Sequence, residues 1–253
     1  MTGALTSLAR GALALGFALG LWQALVWASG VPAFILPGPE RVALRFWQAR
    51  ALIAEHALIT FAEILLGLGL GSALGVATAL QLALSPLARL LMRPILVFAQ
   101  AVPIFALAPI LTLWLGYGLA SKVLMVTLVI SFPVASAFYD GLMRTPQGQL
   151  DLARVMGASP GRLVFQLRAP HAMPALASGL RLAAVYAPMG AVIGEWVGAS
   201  KGLGHLMLLA NGRGQTDLMF ASLFALAAFT VLLHRLMDGL GAALTARFAE
   251  PAG

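Results

Sequence analysis

Six long apolar stretches alternate with polar breaks along the chain. A bilayer core of about 30 Å is crossed by about 20 helical residues. The stretches fit that length and predict spans at residues 11–29, 59–83, 94–114, 122–143, 175–197 and 218–240. The pattern therefore predicts an all-α, polytopic membrane protein with about six transmembrane helices, which form a single domain over residues 1–253.

The first apolar stretch allows a second interpretation. A basic start and the small residues Ala28 and Ser29 would also suit a cleaved signal peptide. The length of the stretch, together with Trp22 and Trp27, favours a helix that stays in the membrane and is anchored at its interface.

Residues 30–58 mix prolines, arginines and aromatic residues at helical spacing, so we expect a helix that lies on the membrane surface. Residues 85–93 are expected to form a short loop, and the glycine-rich residues 198–216 a longer one.

The longest polar break covers residues 147–174. Its apolar positions predict one short amphipathic helix before Gly157 and a second after Gly161, with both on the membrane surface. The Gly157-Ala-Ser-Pro-Gly161 sequence predicts an elbow between them, and Pro170 and Pro174 are expected to end the second helix.

Composition agrees with a membrane protein. The 253 residues are 60% hydrophobic and only 10% charged, with a mean hydropathy of +0.92, whereas a soluble domain has about 25% charged residues.

The distribution of basic residues predicts the orientation in the membrane. With the N-terminus in the cytoplasm, ten basic residues fall on the inner side and six on the outer side. The excess of arginine predicts that orientation and a cytoplasmic 144–172 segment, and it gives no reason to expect nucleic-acid binding.

Several residues within the spans are candidates for a translocation pathway or for helix packing. Proline-interrupted spans free backbone carbonyls, which can line a substrate path or merely mark a packing kink. Gln100 has the same two interpretations, since it could contact cargo or satisfy a carbonyl freed by Pro103. The pathway candidates are Gln100, Pro103, Pro109, Trp114, Tyr186 and Glu195; the packing candidates, spaced by four, are Gly67, Gly71 and Gly75.

Glu63, near one end of the second span, could pair with an arginine of residues 41–50 or take part in the pathway.

Enzymatic chemistry receives little support. Two Gly-x-Ser-x-Gly sequences, around Ser159 and Ser200, lack the strand that precedes a nucleophilic serine in hydrolases. An intramembrane serine protease would pair Ser200 with His234, which the predicted spans place on opposite faces of the membrane. No catalytic residue, metal site or bound cofactor is therefore predicted, and the chain has no Cys and no Gly-Lys-Ser/Thr sequence of a P-loop.

The sequence Asp151-Leu-Ala-Arg-Val-Met-Gly157-Ala-Ser159, followed by Ala169-Pro170, resembles the EAA loop of ABC-importer permeases. In that family the loop forms a cytoplasmic coupling helix that docks into the ATPase subunit. Two positions depart from the pattern, because Asp151 replaces the Glu and Leu152 the first Ala. The resemblance implies a coupling role for Asp151, Leu152, Ala153, Gly157, Ala158 and Pro170.

Four further segments indicate which branch of the family the sequence resembles. Residues 194–204 (GEWVGASKGLG) resemble the fifth-span exit of permeases for nitrate, sulfonate, taurine and thiamine precursors. Residues 101–109, 114–118 and 136–142 are more similar to the branch that imports hydroxymethylpyrimidine, a thiamine precursor.

The resemblance implies the type I ABC-importer permease fold and a multi-pass protein of the bacterial inner membrane. It also implies a homodimer, a separate ATPase subunit that carries ATP and Mg²⁺, and a periplasmic or lipid-anchored substrate-binding protein. The expected cargo is a thiamine precursor, with sulfonate, taurine or nitrate as alternatives.

Overall fold

The computed structural model describes residues 2–248, with side-chain environments for all of these except 2–9, 12, 99, 100 and 247. The helices are α1 (Thr2–Ser29), α2 (Pro39–Gln48), α3 (Arg50–Leu84), α4 (Pro86–Ala101), α5 (Ile104–Leu115), α6 (Leu119–Met143), α7 (Gln147–Val155), α8 (Pro160–Arg162), α9 (Ala169–Gly198), α10 (Leu203–Gly212) and α11 (Thr216–Phe248). A π-helical segment, Leu163–Arg168, joins α8 to α9 without a break. No strand occurs within residues 2–248, which confirms the all-α prediction.

Four helical stretches in the described residues are long and apolar enough to cross a membrane: Arg50–Leu84, Leu119–Met143, Pro160–Gly198 and Thr216–Ala246. The other two predicted spans correspond to shorter apolar helices, Leu13–Ser29 within α1 and Ile104–Leu115. The third predicted span is divided, because Val102 and Pro103 are extended, with ψ angles of 120° and 125°.

Two expectations for the first half of the chain are wrong in part. The segment expected to lie on the surface is divided at Ala49, so that residues 50–58 form the first turns of α3. Residues 86–93 are helical rather than a loop. The Oγ atom of Ser85 accepts a hydrogen bond from the Ala88 N–H at 3.2 Å, and Pro86 supplies the φ angle that suits a first helical turn.

Two expectations for the second half also need correction. The 198–216 loop contains a ten-residue helix, α10. The second surface helix is absent, because Pro170 and Pro174 do not end it and the chain continues into α9. The π-type hydrogen bond from the Ala169 N–H to the Val164 carbonyl widens the turn that precedes Pro170, where a proline ring would otherwise crowd the helix.

The packed centre of the molecule is α6, with α3 on one side and α9 on the other. Gly67, Gly71 and Gly75 lie against Val126, Ile130 and Val134 in register, so α3 and α6 run in the same direction. The absence of side chains at these three positions lets the helices approach closely, and the three α6 residues are completely buried. Gly179 and Gly190 of α9 contact α6 in reverse order, which makes α9 antiparallel to both.

This arrangement gives the bundle two ends. We call the end that carries α7 the α7 end; Leu84 and Met143 lie there. We call the opposite end, where α6 and α10 begin and α9 finishes, the far end. Along the 25 residues of α6 the two ends are about 37 Å apart, at about 1.5 Å per residue.

Candidate functional site

At the α7 end, α7 presents an apolar edge to solvent. Leu150 is 3% exposed and holds the helix to the bundle. Leu152, Val155 and Met156 are exposed by 62%, 86% and 79%. Large apolar side chains this open, on a short helix outside the apolar spans, form a surface suited to a protein partner.

The polar face of α7 is organised by Asp151. Its Oδ1 atom lies 2.7 Å from Nη1 of Arg154 and accepts a hydrogen bond from Nε2 of Gln147 at 3.1 Å. Both partners of the ion pair are about half exposed, so the pair orders the surface of the helix more than it stabilises the fold.

The predicted elbow after α7 is present and has a defined geometry. The Ala158 N–H donates to the Ala153 carbonyl at 2.9 Å, and the Gly157 N–H donates to the Arg154 carbonyl at 2.9 Å. These two bonds form a Schellman motif, in which Gly157 has a φ angle of +81°. Ser159 then caps the next helix by accepting from the Arg162 N–H, and Pro160 begins it. The chain thus turns sharply between α7 and the long helix that crosses the bundle.

At the far end, Glu195 anchors the start of α10. Its side chain is 1% exposed. Oε1 accepts a hydrogen bond from the Thr60 hydroxyl at 2.6 Å, and Oε2 accepts from the N–H groups of Gly204 at 2.5 Å and His205 at 3.3 Å. A carboxylate at the N-terminus of a helix satisfies N–H groups that have no partner within the helix. Glu195, a pathway candidate, therefore points into the protomer and caps α10.

Residues of α3 fasten the same loop from the other side. The Thr60 Oγ1 atom accepts from the Leu203 N–H at 2.7 Å, and Nδ1 of His56 lies 3.0 Å from the Gly202 nitrogen. Gly202 has a φ angle of +121°, and a side chain there would collide with the Glu195 carboxyl group. The loop between α9 and α10 is consequently bound to α3 through main-chain atoms.

Lys122 and Glu63 complete this far-end cluster, which we define as Thr60, Glu63, Lys122 and Glu195. The ammonium group of Lys122, 1% exposed, donates to the carbonyls of Tyr117 at 2.6 Å and of Gly198, the last residue of α9. Glu63 is 2% exposed, and its Oε2 atom has no hydrogen-bond partner among the described residues. A pocket of about 190 Å³ opens next to Glu63 and Lys122.

The remaining pathway candidates lie on α4, α5 and α9 and in the break between α4 and α5. Pro109 and Trp114 are exposed on α5, Tyr186 is 39% exposed on α9, and Pro103 lies in the break before α5. The side chain of Gln100 lies outside the described residues.

A groove of about 530 Å³ lies between α5, α9 and α11. Phe105 and Trp196 contribute aromatic surface to it, and Thr230 is the hydroxyl-bearing residue among an otherwise apolar lining.

Residues 67–250 match the family described as binding-protein-dependent transport system inner membrane component. The chain belongs to this family. A probable ABC transporter permease protein of Haemophilus influenzae is 47% identical over 228 residues, which cover 90% of this chain and 93% of that one. The chain is thus a permease subunit of an ABC importer.

Other relatives are also named as permeases and differ in cargo, and a solved structure shares the fold. The riboflavin transport system permease protein RibX of Chloroflexus aurantiacus is 37% identical, with 85% of this chain and 81% of that one covered. The formylaminopyrimidine transport permease protein ThiX of Halalkalibacterium halodurans is 34% identical, with coverage of 84% and 85%. A chain of the inward-facing MetNI methionine ABC transporter superposes with a TM-score of 0.62 at 21% identity, over 79% of this permease and 97% of that chain.

The alternative protease arrangement receives no support from the fold of the permease. Ser200 lies in the far-end loop, whereas His234 is 18 positions into α11, about 27 Å along the helix from its far-end start. His234 instead lies 3.6 Å from Asp238, which also contacts Arg181 at 3.2 Å.

The sequence analysis missed Lys122, Thr60 and His56 as functional candidates. A signal was present, because Glu63, Lys122 and Glu195 all lie near the same end of three different predicted spans. Buried charges of opposite sign at one depth should be expected to meet.

Proposed function

We propose that this permease works as a homodimer and that α7 with its elbow is the coupling element that docks into a separate ATPase subunit. The single observation that carries this proposal is the exposed apolar edge of α7, formed by Leu152, Val155 and Met156. The ATPase binds ATP and Mg²⁺, since the chain itself contains no P-loop sequence.

We further propose that the α7 end is cytoplasmic, with the N-terminus on the same side. Arginine is concentrated in the segments at that end, at Arg89, Arg93, Arg144, Arg154, Arg162 and Arg168. Such a bias is typical of cytoplasmic segments in inner-membrane proteins. The far end, with α10, then faces the substrate-binding protein.

The proposed cargo is a planar nitrogen heterocycle, in particular a thiamine precursor such as hydroxymethylpyrimidine. Two relatives that are more than 30% identical are named for riboflavin and for formylaminopyrimidine, which are both heterocycles. Aromatic side chains exposed on α5 and α9, among them Trp114, Tyr186 and Trp196, supply surfaces on which a flat ring can stack. Sulfonate, taurine and nitrate are less well matched, because an anion is favoured by charged partners and the groove lining contains no charged residue.

A reconstitution experiment tests the coupling role. The permease is inserted into proteoliposomes with its ATPase and binding protein, and ATP hydrolysis is measured with and without cargo. We expect Val155→Asp to abolish co-purification of the ATPase, because a charge would be placed in the apolar contact. Asn211→Asp, at an exposed polar position of α10 at the far end, is the matched control and should retain the ATPase. Equal ATPase retention by the two variants would contradict docking through this edge.

Cargo is tested in the same proteoliposomes with labelled hydroxymethylpyrimidine, riboflavin and taurine. We expect uptake of a heterocycle and a reduction of about fivefold or more in Trp196→Ala, since stacking on one aromatic ring contributes about 1–3 kcal/mol. Uptake of taurine alone would reject the heterocycle while leaving the permease assignment intact.

A further inference from the structure

The groove between α5, α9 and α11 ends in a cluster of charged and polar side chains. Asp238 of α11 lies 3.2 Å from Nε of Arg181 on α9 and 3.6 Å from Nε2 of His234. We call Arg181, His234 and Asp238 the groove-end cluster. Its members belong to α9 and α11, which also form walls of the groove, so the contact between Arg181 and Asp238 links these two walls.

The groove-end cluster continues the stripe of side chains that lines the groove. Arg181 lies four residues before the lining residue Val185, and His234 lies four residues after the lining residue Thr230. Residues four apart on a helix share a face. The cluster therefore lies directly beyond the apolar lining, on the side of the α7 end.

Gly241 closes the groove beyond the cluster. It is buried, and a Cβ at this position would lie 3.1 Å from Cβ of Ala177 and 3.4 Å from Nη2 of Arg181. The absence of a side chain lets α9 and α11 approach closely here. The cluster accordingly forms the floor of a groove that has apolar walls.

The position of the cluster in the membrane indicates that it does not face lipid. Its residues lie within the stretches Pro160–Gly198 and Thr216–Ala246, which are long and apolar enough to cross a membrane. In the protomer the three side chains are between 38% and 50% exposed. Ionisable groups in a span are costly in lipid and face a water-filled cavity or the interior of an assembly. The open side of the cluster is therefore turned towards such a space.

The cluster also has hydrogen-bonding capacity that the protomer does not use. Nδ1 of His234 is shielded from solvent and has no hydrogen-bond partner among the described residues. Nε of Arg181 is shielded as well, and it approaches Asp238 without the alignment of a hydrogen bond. Buried polar atoms are nearly always hydrogen-bonded, so unpaired nitrogens beside a groove indicate a site for a polar ligand.

The functional groups of the cluster favour one class of ligand. The Arg181 guanidinium only donates hydrogen bonds, the Asp238 carboxylate only accepts them, and the His234 imidazole can do either. A neutral ring that has an amino group next to a ring nitrogen offers both a donor and an acceptor to these groups. An anion such as a sulfonate meets the Asp238 carboxylate at the same place and is repelled by it.

We propose that Arg181, His234 and Asp238 form a binding site for the hydrogen-bonding edge of a neutral amino-heterocycle, between the groove and the α7 end. This inference rests on the heterocycle proposed above as the cargo, and it adds the residues that recognise the polar edge of the ring. Asp238 accepts from the amino group, Arg181 donates to the ring nitrogen, and His234 supplies a further hydrogen bond.

The experiment uses the full chain in lipid nanodiscs, without the substrate-binding protein, whose own affinity would mask the site. Labelled hydroxymethylpyrimidine is the probe, and equilibrium dialysis gives its Kd. We expect Asp238→Asn and Arg181→Gln to weaken binding by about tenfold or more, since each variant loses a hydrogen bond to a charged group. Arg93→Gln, which removes a charge from an exposed position of α4, is the control and should keep the wild-type Kd.

A second probe separates recognition of a ligand from a purely structural ion pair. Asp238→Asn leaves Arg181 without its counter-charge, so we expect this variant to bind methanesulfonate more tightly than the wild type does. An ion pair that only held α9 to α11 would lower the melting temperature of the variant without this exchange of ligand preference, and that result would overturn the proposal.

His234→Gln covers the case in which a charge variant folds poorly, because it leaves the contact between Arg181 and Asp238 in place. We expect weaker binding of hydroxymethylpyrimidine at an unchanged melting temperature. Uptake of hydroxymethylpyrimidine by the reconstituted importer, with a Kd that is unchanged in Asp238→Asn and His234→Gln or with no binding to the wild type, overturns the site and leaves the cargo in place. Binding of taurine alone rejects both the site and the heterocycle.

Discussion

The chain changes direction at Gly157. At this position the effect of a left-handed backbone can be measured separately from the effect of steric crowding. Its φ angle of +81° is strained for any residue with a side chain, although no atom lies within 4 Å of the place where a Cβ would be. We expect Gly157→Ala to cost about 1–2 kcal/mol from the left-handed backbone alone. The measurement is amide hydrogen exchange of α7, which should become faster, together with the amount of ATPase that co-purifies.

Gly148 provides the matched control for this prediction. It is also exposed, with open space around its Cβ position, but it lies inside α7 and its φ is not positive. Alanine there should stabilise the helix by up to about 1 kcal/mol and slow the exchange. If both variants changed exchange in the same direction, the special role of the Gly157 conformation would be refuted.

At the scale of elements, the contact between α3 and α6 depends on glycines on one face of α3. A Cβ at Gly71 would collide with Ile130 and approach the Thr127 carbonyl oxygen to 2.9 Å. We expect Gly71→Ala to force the helices apart and to cost about 1–3 kcal/mol. Thermal unfolding of the purified chain in detergent measures the change.

Gly69 is two residues away on the exposed face of α3, where a Cβ would meet nothing within 4 Å. Gly69→Ala should therefore leave the melting temperature unchanged or raise it slightly. A loss of stability in Gly69→Ala equal to that in Gly71→Ala would mean that helix propensity, rather than close packing, determines both.

Sequence patterns predicted helices well where a single physical rule applied. Apolar length located four long helices that can cross a membrane, and the Gly157 to Gly161 elbow follows from local turn chemistry. The patterns failed where a local signal was overridden by neighbouring structure. Pro170 and Pro174 are helix breakers in isolation, but a π turn before them keeps the helix continuous. Residues 203–212 looked like a glycine-rich loop because the cap that makes them helical, Glu195, lies on another element.

At the scale of the whole molecule, the two ends of the bundle differ in chemistry. The α7 end presents arginines and an exposed apolar edge, whereas the far end contains buried charges that bind main-chain atoms of a loop. The α7 segment could be predicted because its residues are adjacent in sequence. The far-end cluster was missed, because it is assembled from α3, α6 and α9, and the parallel packing of α3 on α6 brings Glu63 to the level of Lys122.

The orientation of the whole molecule gives the last prediction. The chain contains no cysteine, so a single introduced thiol can be labelled without background. Gln149 in α7 and Asn211 in α10 are both exposed, and they lie at opposite ends of the bundle. We expect a membrane-impermeant thiol reagent to label Asn211→Cys in intact cells, and Gln149→Cys only after the cells are opened. Both variants should react equally in detergent, which controls for local accessibility. Labelling of Gln149→Cys in intact cells would show that the protein has the opposite orientation. It would also place α7 on the other side of the membrane from the one proposed for contact with an ATPase.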